Sequence, residues 1–223
     1  MHLYRQVLGF LGVIVISSPL TAYSEDLTNQ FDKKHQDCLE RIAEDSELAF
    51  EEAMIWVDDG GGRRAKHCVA MALYARGHEA EAANRLDNLA KASDGGTAEM
   101  RADFFSEAAN FWLIAEKPDR AYKSATDGLA LKVGHIDLRI ARARAYAMSG
   151  YYDYAETDLT SVLVFDPKHA AALRYRADTR FQQGRLNEAK TDIENSLAYD
   201  STSVETALLR GQINEAIRKS KTK

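Results

Sequence analysis

Two cysteines and two histidines are the residues of this 223-residue chain whose types and spacing most directly suggest chemistry. His35 and Cys38 are three residues apart, and Cys68 directly follows His67. An i, i+3 pair shares one face of a helix and could bind a metal ion together with a second pair. Adjacent residues, however, diverge by about 100° around a helix, so His67 and Cys68 would point apart. We therefore favour a disulfide between Cys38 and Cys68 and keep a metal or ligand site as the alternative.

No combination of residues indicates an enzyme. The histidines are scattered, no serine lies in a nucleophile-elbow motif, and no carboxylate pair stands apart from the many charged residues. The glycines at 60–62 precede Arg63 and Arg64, but no strand comes before them and no Lys-Ser or Lys-Thr pair follows, which excludes a nucleotide-binding loop. We interpret this run as a flexible turn and predict a protein without catalytic residues or a cofactor.

The charge distribution also limits the class of partner. The formal net charge is −5, and acidic and basic residues are interleaved along most segments. Nucleic-acid-binding proteins usually carry a concentrated basic patch, so the sequence predicts no nucleic-acid partner. A basic run from residue 218 to the C-terminus suits the end of a last helix, where cations complement the helix dipole.

The elements that must position these residues are helices. From about residue 28 onward the apolar spacing is helical and no segment alternates long enough to form a strand, which predicts an all-α fold. Two series of alanines recur every 34 residues: Ala121, Ala155 and Ala189, and Ala109, Ala143 and Ala177. Small side chains in both series would let two antiparallel helices approach closely. Each unit is therefore predicted to be a helix pair that must stack on its neighbours.

This repeat resembles the tetratricopeptide repeat (TPR) family, whose units have a glycine and an aromatic residue at the turn, an alanine opening the second helix and a closing proline. One unit matches at Gly150, Tyr152, Ala155 and Pro167, and the next matches at Gly184, Leu186 and Ala189. The resemblance covers residues 102–203 and implies a right-handed α-solenoid of antiparallel helix pairs.

The sequence departs from the family pattern at several positions. Arg139 and Arg142 stand where the family usually has large apolar residues, and Gly128 replaces a helix-forming alanine. Val133 and Ser201 replace the closing proline. We expect these departures to loosen individual units without changing the fold.

The N-terminal segment has the pattern of a secretory signal peptide. Arg5 precedes an apolar run at residues 7–16 that is too short to span a bilayer, and Ala22 and Ser24 supply the small side chains needed for cleavage after Ser24. We expect an exported, periplasmic protein without stable membrane insertion after cleavage, and an uncleaved anchor is the alternative. Export also supports the disulfide, since that compartment is oxidising.

These patterns predict five segments along the chain. They are a signal peptide at 1–24, an N-terminal helix pair at 25–62, a degenerate TPR-like unit and loop at 63–97, three TPR units at 98–203, and a C-terminal capping helix with a basic tail at 204–223.

The family resemblance implies a concave face, lined by the first helix of each unit, that binds another protein or peptide. The helix register places the following residues on that face: Arg64, His67, Met71, Tyr74, Asn110, Leu113, Arg144, Met148, Arg174, Asp178 and Phe181. Arginine, methionine and aromatic residues are common in interfaces. We therefore predict a non-catalytic scaffold or adaptor in the bacterial cell envelope. The alternatives are an accessory protein of an envelope enzyme or maturation complex, with a ligand or metal site near Cys38 and Cys68, and a self-associating scaffold.

Overall fold

Eleven α-helices and no strand make up the part of the chain that the computed structural model describes, residues 19–221. The predicted all-α fold is therefore confirmed. Residues 1–18, which hold most of the predicted signal peptide, lie outside the described residues. The helices are α1 (Pro19–Glu44), α2 (Ser46–Asp58), α3 (Gly62–Ala75), α4 (Glu79–Lys91), α5 (Ala98–Ile114), α6 (Pro118–Leu131), α7 (Ile136–Met148), α8 (Tyr152–Phe165), α9 (Ala170–Gln182), α10 (Leu186–Tyr199) and α11 (Val204–Ser220).

The helices form a solenoid of antiparallel pairs. α3 and α4, α5 and α6, α7 and α8, and α9 and α10 each form a pair that packs on the next, while α1 and α2 precede them and α11 closes the array against α9 and α10. All six alanines of the two 34-residue series are fully buried. Their burial agrees with the close approach of helices that the repeat predicted. No helix within residues 19–221 has the length and apolar character needed to cross a bilayer.

Local signals explain where the helices begin. Asp45 accepts a hydrogen bond from the backbone N–H of Leu48 and thereby separates α1 from α2. His135 and His169 cap α7 and α9 in the same way through Nδ1, and they lie 34 residues apart. Pro118 occupies the first turn of α6, where its missing N–H has no cost.

The turns inside the pairs follow the repeat as well. Gly150 and Gly184 end the first helices α7 and α9 with left-handed φ angles of 78° and 75°, a conformation that glycine adopts without a steric penalty. The equivalent turn after α5 holds Glu116, with φ of 56°. The left-handed backbone geometry of the turn is therefore conserved in this unit, although glutamate replaces the glycine.

Two of the departures from the family pattern tighten a unit, contrary to expectation. A Cβ added at Gly128 would lie 2.7 Å from a methyl carbon of Leu138 and 2.9 Å from the Cβ of Phe105. Glycine therefore permits close packing of α6 against its neighbours. Arg142 donates two hydrogen bonds, of 2.7 and 2.8 Å, to the carboxylate of Asp158 on the paired helix α8.

The pairing of Arg142 with Asp158 recurs in the next unit. Arg176 of α9 donates two hydrogen bonds of 2.8 Å to the buried carboxylate of Asp192 on α10, and both members of the pair are displaced by 34 residues. Bidentate arginine–carboxylate pairs fix geometry as well as charge. These arginines therefore hold the two helices of a unit together where the family usually has apolar contact.

Candidate functional site

A groove of about 360 Å³ lies between α7 and α9, the first helices of two adjacent units. Three of the predicted groove residues line it: Arg144 and Met148 from α7, and Asp178 from α9. Arg144 and Asp178 are 34 residues apart, so the repeat places them at equivalent positions on neighbouring helices. The side chain of Met148 is 49% exposed and provides apolar contact surface.

Tyr175 is the aromatic centre of this groove, and the sequence prediction omitted it. The guanidinium of Arg174 lies 4.2 Å from the centroid of its ring, and that of Arg144 lies 5.1 Å from the same centroid. Both distances are within the range of cation–π attraction. The ring therefore helps to hold two cations beside the groove. An aromatic residue flanked by arginines in a first helix was the available signal, but the projected register selected Arg174 alone.

Asn110 positions Arg144. Its side-chain oxygen accepts a hydrogen bond of 2.8 Å from Nη1 of Arg144, and its Nδ2 donates one of 3.0 Å to the carbonyl of Ser106. Asn110 lies 34 residues before Arg144 and was also predicted to line the groove. Phe181, predicted on the same face, is half-buried on α9 and packs against the C-terminal core cluster.

The arginines of α9 have two distinct roles. Arg176 and Arg180 both form ion pairs with Asp192, and Arg180 also contacts Glu156 at 2.8 Å. Within residues 28–221, neither Arg174 nor Arg144 is in ion-pair contact with a carboxylate, although Glu205 of α11 interacts electrostatically with Arg174. Arg144 therefore lines the groove and Arg174 lies beside it at the ring of Tyr175, and no carboxylate of this part of the chain is in direct contact with either guanidinium.

The N-terminal part of the predicted face is not open. Arg64 forms an ion pair with Asp32 of α1, which lowers the pKa of that carboxyl group mainly through their hydrogen bond. Tyr74 stacks on Phe111, with ring centroids 3.9 Å apart. Met71 is half-buried against the core. These contacts within the chain cover much of the surface that a ligand would need.

Leu113 and His67 also differ from the expectation for groove residues. Leu113 is 4% exposed and belongs to the hydrophobic core, so it has almost no surface for a ligand. His67 is 7% exposed. Leu113 lies two 34-residue repeats before Phe181, at the equivalent position of its unit, but its side chain packs into the core instead of lying on the open face.

His67 lies in a chain of hydrogen bonds that connects three helices. Its Nε2 is 2.8 Å from Oε2 of Glu107 on α5, and its Nδ1 is 2.9 Å from Nε2 of His35 on α1. Because a carboxylate only accepts, His67 donates from Nε2 to Glu107, while the direction of its hydrogen bond with His35 depends on the tautomers of the two rings. Burial, followed by the charge of His67, lowers the pKa of His35 to about 4.

The structure pairs Cys38 with Cys68 as a disulfide that joins α1 to α3, with a Cα–Cα distance of 6.4 Å. Both sulfurs are therefore engaged and neither is a free thiolate. No group of three or more histidine, cysteine, aspartate or glutamate side chains in the described part of the chain is arranged to hold a metal ion. The alternative metal site at this corner has no support from the arrangement of these side chains.

No protein-family model matches the chain, and neither does any curated protein. Several solved structures match the chain. The first TPR domain of the human RPAP3 protein is 25% identical, with a TM-score of 0.52, over 54% of this chain and 95% of that domain.

Two other TPR proteins match over more of the chain. TTC0263, a protein of Thermus thermophilus, is 17% identical, with a TM-score of 0.60, over 82% of this chain and 98% of its own. YrrB, described as a TPR protein with an unusual peptide-binding site, is 15% identical, with a TM-score of 0.57, over 76% of this chain and 85% of its own. At these identities the likeness to both proteins shows a shared fold.

Proposed function

We propose that this chain, which has the fold of tetratricopeptide repeat proteins, is a non-catalytic interaction scaffold that binds an acidic, extended segment of another protein between α7 and α9. The observation that carries this proposal is the pair of cations at Tyr175. Arg144 and Arg174 flank the ring and form no ion pair with a carboxylate in the described part of the chain.

The groove is preorganised for a carboxylate. Asn110 and Tyr175 hold Arg144 from two sides, so less side-chain freedom is lost when a ligand binds. Arginine can bind a carboxylate through two parallel hydrogen bonds, and the partly buried position strengthens that attraction relative to open water. Met148 adds apolar surface for a neighbouring side chain of the ligand.

We extend this proposal to an adaptor that is exported to the periplasm and acts in the bacterial cell envelope. The signal-peptide pattern of residues 1–24 supports export. The disulfide between Cys38 and Cys68 supports it independently, since such bonds persist in oxidising compartments.

The test is a comparison of matched charge variants. The mature chain, residues 25–223, would be used to capture proteins from periplasmic extract beside the double variant R144E/R174E. The control K123E/K190E has the same change in charge at two exposed lysines on second helices. A synthetic peptide from an acidic segment of the captured protein would then be titrated by fluorescence anisotropy.

We expect the parent chain and the control to retain the same partner and to bind its peptide, while R144E/R174E loses both. Each reversed charge in a desolvated contact should weaken binding by about tenfold or more. If the partner and peptide bind R144E/R174E as tightly as the parent chain, the groove is not the binding site.

A further inference from the structure

A cavity separate from the groove lies near the N-terminal end of the solenoid. It has a volume of about 430 Å³ and is lined by residues of α2, α3 and α4 and of the turn after α4. Its walls are apolar: Met54 and Val57 come from α2, Val69 from α3 and Leu89 from α4. Val69 and Leu89 are almost completely buried, so they form a fixed apolar floor. Small-molecule sites commonly have volumes of roughly 300–1,000 Å³ and predominantly apolar walls.

The cavity also has a cationic rim. Lys66 of α3 and Arg85 of α4 both line it, and none of its lining residues is acidic. The protein as a whole has a formal net charge of −5, so the charge of the residues that line the cavity is opposite in sign to the net charge of the protein. An apolar floor below two cations suits a ligand that has an apolar body and an anionic head.

The present partners of these cations lie outside the cavity and hold them weakly. Lys66 pairs with Asp94 and Arg85 pairs with Glu81, each at 2.9 Å. All four side chains are 40% exposed or more, and exposed ion pairs contribute only about 0–1 kcal/mol. The carboxylate of a ligand could therefore replace Asp94 and Glu81 at little cost. The apolar part of the same ligand would be transferred from water into the cavity.

We propose that this cavity binds an amphipathic monocarboxylate, such as a medium-chain fatty acid. Its alkyl chain packs between Met54, Val57 and Leu89, and its carboxylate contacts Lys66 and Arg85. This site is formed by helices other than those of the α7–α9 groove. It is independent of the peptide-binding function proposed above, and either can fail without the other.

Isothermal titration calorimetry with decanoate, below the concentration at which it forms micelles, tests the site. Decyltrimethylammonium is the matched control ligand, because it has the same tail and the opposite charge. We expect decanoate to bind saturably, with one site per chain, and the cation to give no saturable signal. The variant K66Q/R85Q should weaken decanoate binding by about three- to tenfold, while K123Q/K190Q leaves it unchanged.

A second variant tests the cavity itself without changing the cations. Asn88 is an exposed residue at the rim, and Asn88→Trp would place a bulky ring over the opening. We expect it to abolish saturable decanoate binding while the melting temperature stays that of the parent chain. The proposal is overturned if decanoate does not saturate in the millimolar range, if the cation binds equally well, or if K66Q/R85Q and Asn88→Trp bind decanoate like the parent chain.

Discussion

At the scale of single residues, buried charge pairs replace apolar contact inside the C-terminal units. Asp158 is 5% exposed, and its carboxylate is held by Arg142 through two hydrogen bonds. A buried carboxylate that loses its hydrogen-bonded counter-charge is destabilised, and Arg139, whose Nη1 is 3.7 Å from Oδ1 of Asp158, makes no such hydrogen bond at that distance. The stability of the unit should therefore depend on the pair as a whole more than on either residue.

We expect Arg142→Leu to lower the free energy of unfolding by about 3 kcal/mol, because it leaves Asp158 buried and without its main partner. The double variant R142L/D158L should recover most of this loss, since it restores the apolar contact usual in the family. Urea unfolding followed by circular dichroism measures both. Arg218→Leu, which removes an exposed ion pair at the end of α11, is the control and should change stability little. Equal stability of R142L and the parent chain would show that Asp158 does not depend on Arg142.

Two glycines in helices provide a matched pair for a second prediction. Gly128→Ala would add a Cβ within 3 Å of Leu138 and Phe105, whereas a Cβ at Gly211 of α11 would meet no atom within 4 Å. Alanine favours a helix over glycine by about 1 kcal/mol, so Gly211→Ala should stabilise the protein. Gly128→Ala should destabilise it by about 1–3 kcal/mol, because overpacking outweighs the helix propensity. Opposite shifts in melting temperature are expected. A higher melting temperature for both variants would contradict the close packing at Gly128.

The charge pairs show what the sequence could and could not predict at this scale. Arg142 and Asp158 recur as Arg176 and Asp192 at the period of the repeat, so the signal was present in two copies. A comparison with the family pattern at single positions identified Arg142 as a departure from that pattern, but it did not identify its partner. The compensating residue is 16 positions away, and its contact requires the antiparallel packing of two helices.

At the scale of elements, α1 is attached to α3 by three contacts, which are spaced three residues apart along α1. Asp32 pairs with Arg64, His35 contacts His67, and Cys38 is bonded to Cys68. The disulfide is covalent, whereas the histidine contact depends on protonation. Acidification should therefore weaken the docking of α1 without releasing it.

We expect the free energy of unfolding to decrease as the pH is lowered, because of His35. Its pKa is about 4 in the folded protein, against an ordinary value of 6.5, so the unfolded chain binds more protons between these values. The contribution of neutral His35 is fully present above pH 6.5 and is lost as the pH falls toward 4. The full shift corresponds to about 3 kcal/mol, and solvent screening at this partly exposed residue should reduce it to about 1 kcal/mol.

The measurement is urea unfolding of the parent chain and of His35→Gln at pH 7.5 and pH 4.5. Glutamine keeps a hydrogen-bond donor for His67 but does not titrate. The loss of stability between the two pH values should be smaller in the variant by about 1 kcal/mol. His67, Glu107, Asp32 and Arg64 surround His35 and remain in both proteins, so they act as an internal control. An identical loss in both proteins would assign the pH dependence to those groups instead.

At the scale of the whole molecule, the open groove occupies only part of the solenoid. The sequence predicted one continuous face from Arg64 to Phe181, because projecting a register treats every first helix as equivalent. The neighbours are not equivalent: α1 covers Arg64 and His67, and Tyr74 stacks on Phe111. The period of the repeat was enough to predict the fold, and it placed on one face Arg144, Met148 and Asp178, which line the α7–α9 groove. The closure of the N-terminal half depends on contacts with α1, which lies outside the clear repeat, and on the stacking of Tyr74 of α3 against Phe111 of α5.

The stacked arrangement also determines which helices should lose stability when the C-terminal helix is removed. Leu209 and Ile213 of α11 pack with Ala189 and Ile193 of α10 in a core cluster at the C-terminal end. In a solenoid each unit is stabilised mainly by its nearest neighbours. Deleting residues 204–223 should therefore expose that cluster and lower the hydrogen-exchange protection of α9 and α10, while the amides of α5 keep theirs. Leu208→Ser, at an α11 residue that is 65% exposed, is the control and should leave protection unchanged everywhere. A uniform loss of protection along the chain in the truncated protein would mean that the units unfold as one cooperative block rather than from the uncapped end.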